Sequence, residues 1–240
     1  MKSIKIYALA LGLLAVFAGC QNDVVKPLEN DKEAPAPVRD VTYTKMSGSV
    51  LLTYTLPSDP DLLYVAASYT NKAGKKYEFK ASYFTNTLLV EGFGDTDTYS
   101  LDVYAVDRSE NYSEPVNIQV AADTPPVQAA YETLEVQPDF GGMTFSFDNA
   151  SKADLTVYVS TPNADNEMVN AETFYTGLAK ATFSVRGFLD VPRDFEICFE
   201  DKWGNRSPVK KENLTPIYEA ELDKKKFKEV ILPGDFPCTF

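Results

Sequence analysis

The sequence predicts an all-β protein built from two successive β-sandwich domains. Two observations predict this fold class: short stretches in which apolar and polar residues alternate, and an internal repeat of about 94 residues. Alternation with a period of two is typical of half-buried strands, and turn residues separate the stretches at the short intervals expected of a sandwich. Helix is expected to be scarce, and residues 170–180 are the segment that we expect to be helical.

The internal repeat divides the chain into two similar units. Matched apolar positions alternate in both copies: Val50, Leu52 and Tyr54 in the first, and Met143, Phe145 and Phe147 in the second. A loop signature, Asp-x-x-x-Asn-x-Ser, begins at Asp107 and again at Asp201. A fixed offset between matched positions indicates a duplicated folding unit. The predicted domains are therefore residues 38–122 and 127–218, and the two prolines of the link between them favour a stiff, extended chain.

The amino terminus has the organisation of a cleaved export signal. An apolar run at residues 6–17 follows two lysines and leads into small residues and Cys20. The run is about a dozen residues long, whereas a helix that crosses a bilayer needs roughly 20. We therefore expect residues 1–19 to be a signal peptide rather than a permanent membrane span.

The segment that ends in Cys20 resembles the lipobox of bacterial lipoproteins. The resemblance implies that Cys20 carries acyl chains and becomes the first residue of the mature chain, which attaches it to a membrane without crossing it. The alternative is an ordinary secretory signal that happens to contain a cysteine. Residues 20–37 are polar, acidic and proline-bearing, so we expect a flexible tether after the lipidated cysteine.

Charge and composition exclude several classes of function. The chain has 35 acidic and 23 basic side chains, a formal net charge of −12, so its surface is expected to repel nucleic acid. The sequence contains no histidine, which excludes Ser-His and Cys-His nucleophile systems and histidine-ligated metals. Cys198 and Cys238 are expected either to be two unpaired thiols or to pair with each other. We predict no cofactor, no metal and no catalytic residue.

Two aromatic residues are candidate ligand contacts because the repeat places both in loops at sandwich ends. Trp203, the only tryptophan, and Tyr112 follow the predicted sixth strands of their units. An exposed ring in such a loop can stack on a sugar; the alternative for Trp203 is that it folds back to cap its own domain. The Asp and Asn residues of the loop signatures lack EF-hand spacing, so we expect them to form turns rather than a calcium site.

Two segments of the first unit resemble fibronectin type III domains. The Tyr-Thr-Leu-Pro segment at 54–57 matches the end of that fold's second strand, and residues 99–115 match its sixth strand, the following loop and the entry to the seventh. The resemblance covers about residues 35–218 and implies an immunoglobulin-like sandwich in which Tyr99 is the tyrosine-corner residue, with its hydroxyl bonded to backbone. In the second unit Phe195 is expected to take this place and, lacking a hydroxyl, to tie the corner less firmly.

The layout also resembles surface lipoproteins of Bacteroidetes that accompany SusC/SusD-type glycan uptake systems. The resemblance rests on Lys-Glu-Ala-Pro at 32–35 and on residues 54–64, 105–115 and 218–224. It implies an outer-membrane lipoprotein that faces the cell exterior, with glycan and SusC/SusD-type proteins as partners. In such proteins a discoidin-like domain follows the second sandwich, and residues 219–240 are expected to be a linker to that domain, which is missing here.

The function that the sequence favours is non-catalytic capture or presentation of polysaccharide at the cell surface. One alternative is a purely structural spacer or a truncated fragment whose ligand-binding domain is missing. A glycoside-acting enzyme is a remote alternative, because a chain rich in acidic residues yields pairs of carboxylates by chance. A fibronectin-like fold does not by itself decide among these functions.

Overall fold

The computed structural model describes residues 31–220, 223–228 and 234. The predicted signal peptide, Cys20 and Cys238 lie outside the described residues, so the expectations about them stay predictions. Within the described part of the chain, no helix is both long enough and apolar enough to cross a membrane.

Residues 31–122 form a sandwich of seven antiparallel strands. The strands are β1 (Arg39–Met46), β2 (Ser49–Thr55), β3 (Leu62–Thr70), β4 (Lys76–Ser82), β5 (Thr87–Glu91), β6 (Thr98–Asp107) and β7 (Val116–Ala121). One sheet has the order β1-β2-β5 and the other the order β4-β3-β6-β7. Alternate side chains of both sheets point inward because successive residues of a strand face opposite ways. They share one core, which includes Leu52, Val65 and Leu101.

Residues 123–220 repeat this architecture after a short helix, α1 (Pro126–Glu132). The strands are β8 (Glu135–Asp139), β9 (Gly142–Asp148), β10 (Leu155–Pro162), β11 (Met168–Thr176), β12 (Lys180–Arg186), β13 (Arg193–Asp201) and β14 (Lys210–Leu214). The sheets have the orders β12-β9-β8 and β11-β10-β13-β14, which match those of the first domain. A separate core includes Phe145, Val157 and Ile197. The predicted fold class, two tandem β-sandwiches, is confirmed.

The segment predicted to be helical is an edge strand. Most of residues 170–180 belong to β11, which pairs antiparallel with β10 from Leu155 opposite Thr176 to Pro162 opposite Met168. Most side chains of β11 are exposed, so the strand lacks the apolar alternation that marks the others. The helix that does form, α1, begins at the second proline of the link, because a proline in the first turn lacks only an N–H that has no partner within the helix.

Tyr99 ties the corner of the first sandwich through a carboxylate. Its hydroxyl donates to Asp95 Oδ1 at 3.0 Å, so the expectation of a backbone partner is wrong. The Asp95 carboxylate also accepts the N–H of Asp97 at 3.0 Å and pairs with Lys72 at 2.6 Å. The corner of the first domain therefore depends on an ionised group.

Arg193, rather than Phe195, holds the matching corner of the second sandwich. Aligning the ends of β6 and β13 places Arg193 at the position of Tyr99, while Phe195 is buried in the core. The Arg193 Nε donates to Thr161 Oγ1 at 2.7 Å, and the guanidinium lies 4.6 Å from the centre of the Phe188 ring. The expectation that Phe195 takes the place of Tyr99 is therefore wrong, and the arginine at the matching position supplies the donors that a phenylalanine lacks.

Candidate functional site

The two Asp-x-x-x-Asn loops are built in the same way. Asp107 Oδ1 accepts the N–H groups of Ser109 and Asn111, both at 2.8 Å, and Asp107 Oδ2 accepts the Asn111 side-chain amide at 2.8 Å. The Asp201 carboxylate accepts the matching three bonds from its own loop, each at 2.9 Å. The prediction of a structural turn is confirmed, since each carboxylate satisfies donors within its own loop.

These matched loops hold different neighbours. In the first domain the loop contacts Asp31, which precedes the first strand: Ser109 Oγ accepts the Asp31 N–H at 3.2 Å, and the Asn111 amide lies 3.2 Å from the Asp31 carboxylate. In the second domain Trp203 occupies the position of Ser109 and packs against the core of the first domain. Trp203 therefore contacts the neighbouring domain, a contact that the sequence did not predict.

The Trp203 indole fits into one end of the first domain. The rings of Tyr77 and Phe79 meet it at steep angles, with centroids 5.6 Å from that of Trp203 in both cases. Gly92 leaves room for the indole, because a Cβ at this position would lie 3.2 Å from Trp203 Cδ2 and 3.0 Å from the Tyr69 hydroxyl. The Trp203 ring, which the sequence predicted as a candidate ligand contact, is thus packed between the two domains.

Polar contacts surround the indole and fix its loop on the first domain. The Asn205 amide donates to the carbonyl of Gly92 at 3.3 Å, and Lys202 Nζ lies 3.2 Å from the Glu91 carboxylate. The Lys202 ammonium also lies 5.1 Å from the centre of the Trp203 ring. We call these contacts, together with the packing of Trp203, the interdomain joint. An apolar centre with a polar rim is the usual anatomy of a specific protein interface.

A cleft of about 540 Å³ lies beside the interdomain joint. Its apolar lining includes Met46 and Leu89, and its charged lining includes Lys152, Glu91 and Lys202. Glu91 and Lys202 are already paired with each other, so part of this charge is used in the joint.

Tyr112, the other candidate from the sequence, lies in a cluster of aromatic side chains on the outer face of the first domain. We call Tyr64, Tyr104, Tyr112, Lys80 and Glu78 the tyrosine patch. The hydroxyls of Tyr64 and Tyr112 are 3.3 Å apart, and the Tyr104 and Tyr112 rings meet edge to face with centroids 5.7 Å apart. Lys80 Nζ donates to the Tyr64 hydroxyl at 3.3 Å, lies 4.6 Å from the centre of that ring and pairs with Glu78 at 3.1 Å.

Hydrogen bonds within the tyrosine patch raise the pKa values of Tyr112 and Lys80. The hydrogen bond with Tyr64, aided by partial burial, raises the pKa of Tyr112 to about 12. The bonds to Glu78 and Tyr64 raise the pKa of Lys80 above its usual value. The patch presents tyrosine hydroxyls, the Lys80 ammonium and the Glu78 carboxylate beside ring surface, and 44% of Tyr112 is accessible to solvent. Such groups suit a ligand with many hydroxyls.

Sequence reasoning identified Tyr112 but missed Tyr64 and Tyr104. A signal for Tyr104 exists in the alternation of β6: its neighbours Val103 and Ala105 are fully buried, so Tyr104 must face the opposite way. Tyr64 carries no comparable signal, because the register of β3 against β6 is irregular just before it. The clustering of the three rings depends on strand pairing that joins distant parts of the sequence.

Three carboxylates converge beside the loop of the first domain, within the part of the chain that the structure describes. Asp31, Asp61 and Asp107 each place one oxygen within 4.8 Å of the others. A hydrogen bond with Asp59 is the main cause that raises the pKa of Asp61 above its usual value. Because Asp107 already accepts three hydrogen bonds from its own loop, we assign the cluster to the loop scaffold.

Comparison with known proteins divides the chain at the link between the sandwiches. Residues 35–122 match a family model described as domain of unknown function DUF4959, and residues 123–225 match one described as domain of unknown function DUF5126. A search of curated proteins gives no match. The boundary between the two models falls between Ala122 and Asp123, where β7 has ended and α1 has not begun.

Solved structures similar to this chain include a SusE-like protein, at 34% identity and a TM-score of 0.36. That match covers 41% of this chain and 34% of the SusE-like protein, so the chain spans about a third of its length. A two-domain fibronectin type III segment of chicken tenascin is 15% identical with a TM-score of 0.35, over 75% of this chain and 99% of the segment. The central fibronectin-III array of RIM-binding protein is 15% identical with a TM-score of 0.30, over 81% and 66%. The strand order, rather than these superpositions, establishes the fold.

Proposed function

We propose that this protein is a non-catalytic cell-surface lipoprotein that binds polysaccharide and presents it for uptake, with the tyrosine patch as its contact surface. The arrangement of Tyr64, Tyr104 and Tyr112 beside Lys80 and Glu78 carries the proposal. Ring surface packs against the apolar face of a sugar, while hydroxyl, ammonium and carboxylate groups bond to its hydroxyls.

The interdomain joint supports a role in presentation. Trp203 and the bonds of Asn205 and Lys202 to the first domain oppose free rotation about the link at residues 123–126. A bound chain at the tyrosine patch is then held at a set position relative to the second domain. A flexible link would instead let the two domains move independently.

The cellular setting is part of the same proposal and rests on the sequence resemblance. Acyl chains on Cys20 attach the protein to the outer membrane, and the sandwiches face the cell exterior beside SusC/SusD-type proteins. The acidic surface, with a net charge of −12 for the whole chain, disfavours nucleic acid as a partner. A membrane fractionation of cells that express Cys20→Ser tests the anchor, because the variant protein is expected in the soluble fraction.

A binding experiment tests the ligand. The chain from Gln21 onward is titrated with soluble starch, xylan, mannan and pectin, and any binding is measured again with Tyr112→Ala and Tyr104→Ala. Each variant is expected to lose about tenfold or more in affinity, because stacking on an aromatic ring contributes on the order of 1–3 kcal/mol. Phe84→Ala is the matched control, since Phe84 is an aromatic residue of the same domain that is 83% exposed and lies outside the patch.

Each alternative function has its own outcome in this experiment. Binding to none of the polysaccharides contradicts the proposal and leaves the structural spacer. If Tyr112→Ala and Tyr104→Ala do not weaken binding, the ligand binds outside the tyrosine patch. Hydrolysis of any polysaccharide by the purified chain supports the enzyme alternative.

A further inference from the structure

Two cavities meet at the interdomain joint and form one groove. The cleft of about 540 Å³ lies between the domains, and a cavity of about 420 Å³ adjoins it on the second domain. Asp154 and Lys202 line both cavities, so the two are continuous. We call the combined cavity the joint groove. It reaches from Met46 and Leu89 on the first domain to Tyr175 on the second.

The floor of the joint groove is the outer face of the three-stranded sheet of the first domain. Met46 and Glu91 lie in one row across β1, β2 and β5, because the register pairs both of them with Ser49. Leu89 faces the same way as Glu91, since Val90 between them points into the core. Met46 and Leu89 are 44% and 40% exposed, so the floor presents apolar surface beside the Glu91 carboxylate.

The wall of the joint groove on the second domain is a loop that the fold holds in place. Asn149 is 2% exposed; its side-chain amide donates to the carbonyl of Ala153 at 2.9 Å, and its Oδ1 accepts the Ala153 N–H at 3.2 Å. The Asn149 N–H also donates at 2.8 Å to the carbonyl of Ala179, the residue before β12. These bonds position Lys152 and Asp154 in advance, and binding sites for small molecules are usually preformed in this way.

The charged groups of the joint groove differ in whether they already have partners. Lys202 is paired with Glu91, and Asp201 accepts three hydrogen bonds from its own loop. Lys152 and Asp154 are exposed, and their side chains make no hydrogen bond or ion pair with any other residue that the structure describes. One ammonium group and one carboxylate are therefore available, and together they can donate to and accept from hydroxyl groups.

We propose that the joint groove binds a neutral, linear polysaccharide and is a second contact surface, separate from the tyrosine patch. This inference rests on the proposed function for the class of ligand. The half-buried Trp203 and Tyr175, which is 77% exposed, offer ring surface in the two connected cavities, and this spacing suits successive sugar units of one chain. Three carboxylates and two ammonium groups line the groove, so an acidic polysaccharide is disfavoured.

The fluorescence of Trp203 reports on the joint groove, because Trp203 is the only tryptophan of the chain. The chain from Gln21 onward is titrated with maltohexaose, cellohexaose, xylohexaose and mannohexaose, and with hexagalacturonate as the acidic comparison. We expect a saturable change of tryptophan emission with at least one neutral hexasaccharide and none with hexagalacturonate. The disaccharide of the same sugar is expected to bind about tenfold more weakly, because it cannot contact both cavities at once.

Variants on the two domains test whether one ligand contacts both. Tyr175→Ala is expected to weaken binding of the hexasaccharide about tenfold, and Leu89→Ser to weaken it several-fold, because each removes a contact at a different end of the groove. Tyr218→Ala is the matched control, since Tyr218 is a tyrosine of the second domain that is 68% exposed and lines neither cavity. Circular dichroism monitors the fold, and Met46→Ser serves in place of Leu89→Ser if that variant unfolds.

Three outcomes overturn the proposal. No neutral hexasaccharide changes the emission of Trp203, or hexagalacturonate binds more tightly than every neutral one. The third outcome is that Tyr175→Ala weakens binding no more than Tyr218→Ala does.

Failure of the joint groove is distinguishable from failure of the tyrosine patch. If Tyr175→Ala and Leu89→Ser weaken binding while Tyr112→Ala and Tyr104→Ala do not, the groove is the contact surface and the patch is not. The reverse pattern, without a change in tryptophan emission, keeps the patch and contradicts the groove.

Discussion

The matched loops at 107–111 and 201–205 have the same internal hydrogen bonds and hold different neighbours. Ser109 contacts Asp31 at the start of the described chain, whereas Trp203 fills the end of the first domain. Because the carboxylate at the head of each loop fixes the backbone, exchanging one side chain changes what the loop contacts without rebuilding it. In this tandem repeat, shared hydrogen bonds maintain the loop and one variable position selects the neighbour.

Two matched glycines give the strongest test of this comparison. Gly92 and Gly187 have φ values of +90° and +100°, so alanine is strained at both positions, by about 1–3 kcal/mol. A Cβ at Gly92 also meets Trp203 and Tyr69, whereas a Cβ at Gly187 meets no described atom within 4 Å. Overpacking adds about 1–3 kcal/mol at Gly92 alone.

We therefore expect Gly92→Ala to lower the free energy of unfolding by about 2–6 kcal/mol and Gly187→Ala by about 1–3 kcal/mol. Urea denaturation followed by circular dichroism measures both. Equal losses would mean that the Trp203 loop does not press on the first domain, which would break the comparison.

Replacing Trp203 of the second loop with serine, the residue at the matching position of the first loop, removes the core of the interdomain joint. Trp203→Ser is expected to destabilise the first domain by about 2 kcal/mol, because a half-buried aromatic side chain loses its packing against Tyr77 and Phe79. Hydrogen exchange of β4 detects the change, and Ser109→Ala is the matched control, with an expected effect below about 0.5 kcal/mol. Unchanged exchange in β4 would contradict the assignment of Trp203 to the joint.

The two corners are expected to differ in their response to acid. Burial opposes the ionisation of Asp95, but the bonds from Lys72, the Asp97 N–H and Tyr99 outweigh it and hold the pKa of Asp95 below its usual 3.8. A carboxyl group whose pKa is lowered by folding contributes stability above its unfolded pKa, and this stability is lost as the pH falls through the folded value.

The first domain is therefore expected to lose stability below about pH 4, and Asp95→Asn to flatten that dependence. The corner of the second domain is held by bonds from Arg193 to the Thr161 hydroxyl and the Pro162 carbonyl, neither of which titrates in this range, and it is expected to change less. Thermal unfolding between pH 3 and pH 7, resolved by hydrogen exchange in each domain, measures the difference. An equal loss of stability in both corners would contradict this assignment.

The ion pair at the rim of the joint is expected to contribute least. Lys202 and Glu91 are 3.2 Å apart, but 52% and 33% of their side chains are exposed to solvent. We expect Lys202→Ala to change the free energy of unfolding by at most about 0.5 kcal/mol, because screened surface pairs contribute little. A loss as large as that of Trp203→Ser would show that charge, rather than packing, holds the domains together.

Several features of the candidate site could not be predicted from local sequence patterns. The Asp-x-x-x-Asn loops were predictable, because an Asp side chain bonds backbone N–H groups only a few residues away. The outward position of Tyr104 follows from the alternation of β6, whereas its contact with Tyr112 and the proximity of Tyr64 depend on strand pairing. The match between Arg193 and Tyr99 becomes visible only when β6 and β13 are aligned over their whole length.

The sequence by itself determined the all-β class, the two similar units and the turns between strands. These properties depend on which side of a strand each residue faces and on bonds between near neighbours, both of which repeat in the sequence. The tertiary structure alone decided that β11 is an edge strand, that Trp203 packs on the other domain and that Tyr64, Tyr104 and Tyr112 lie together. Such contacts join residues far apart in the chain, so they depend on how sheets and domains pack rather than on any local pattern.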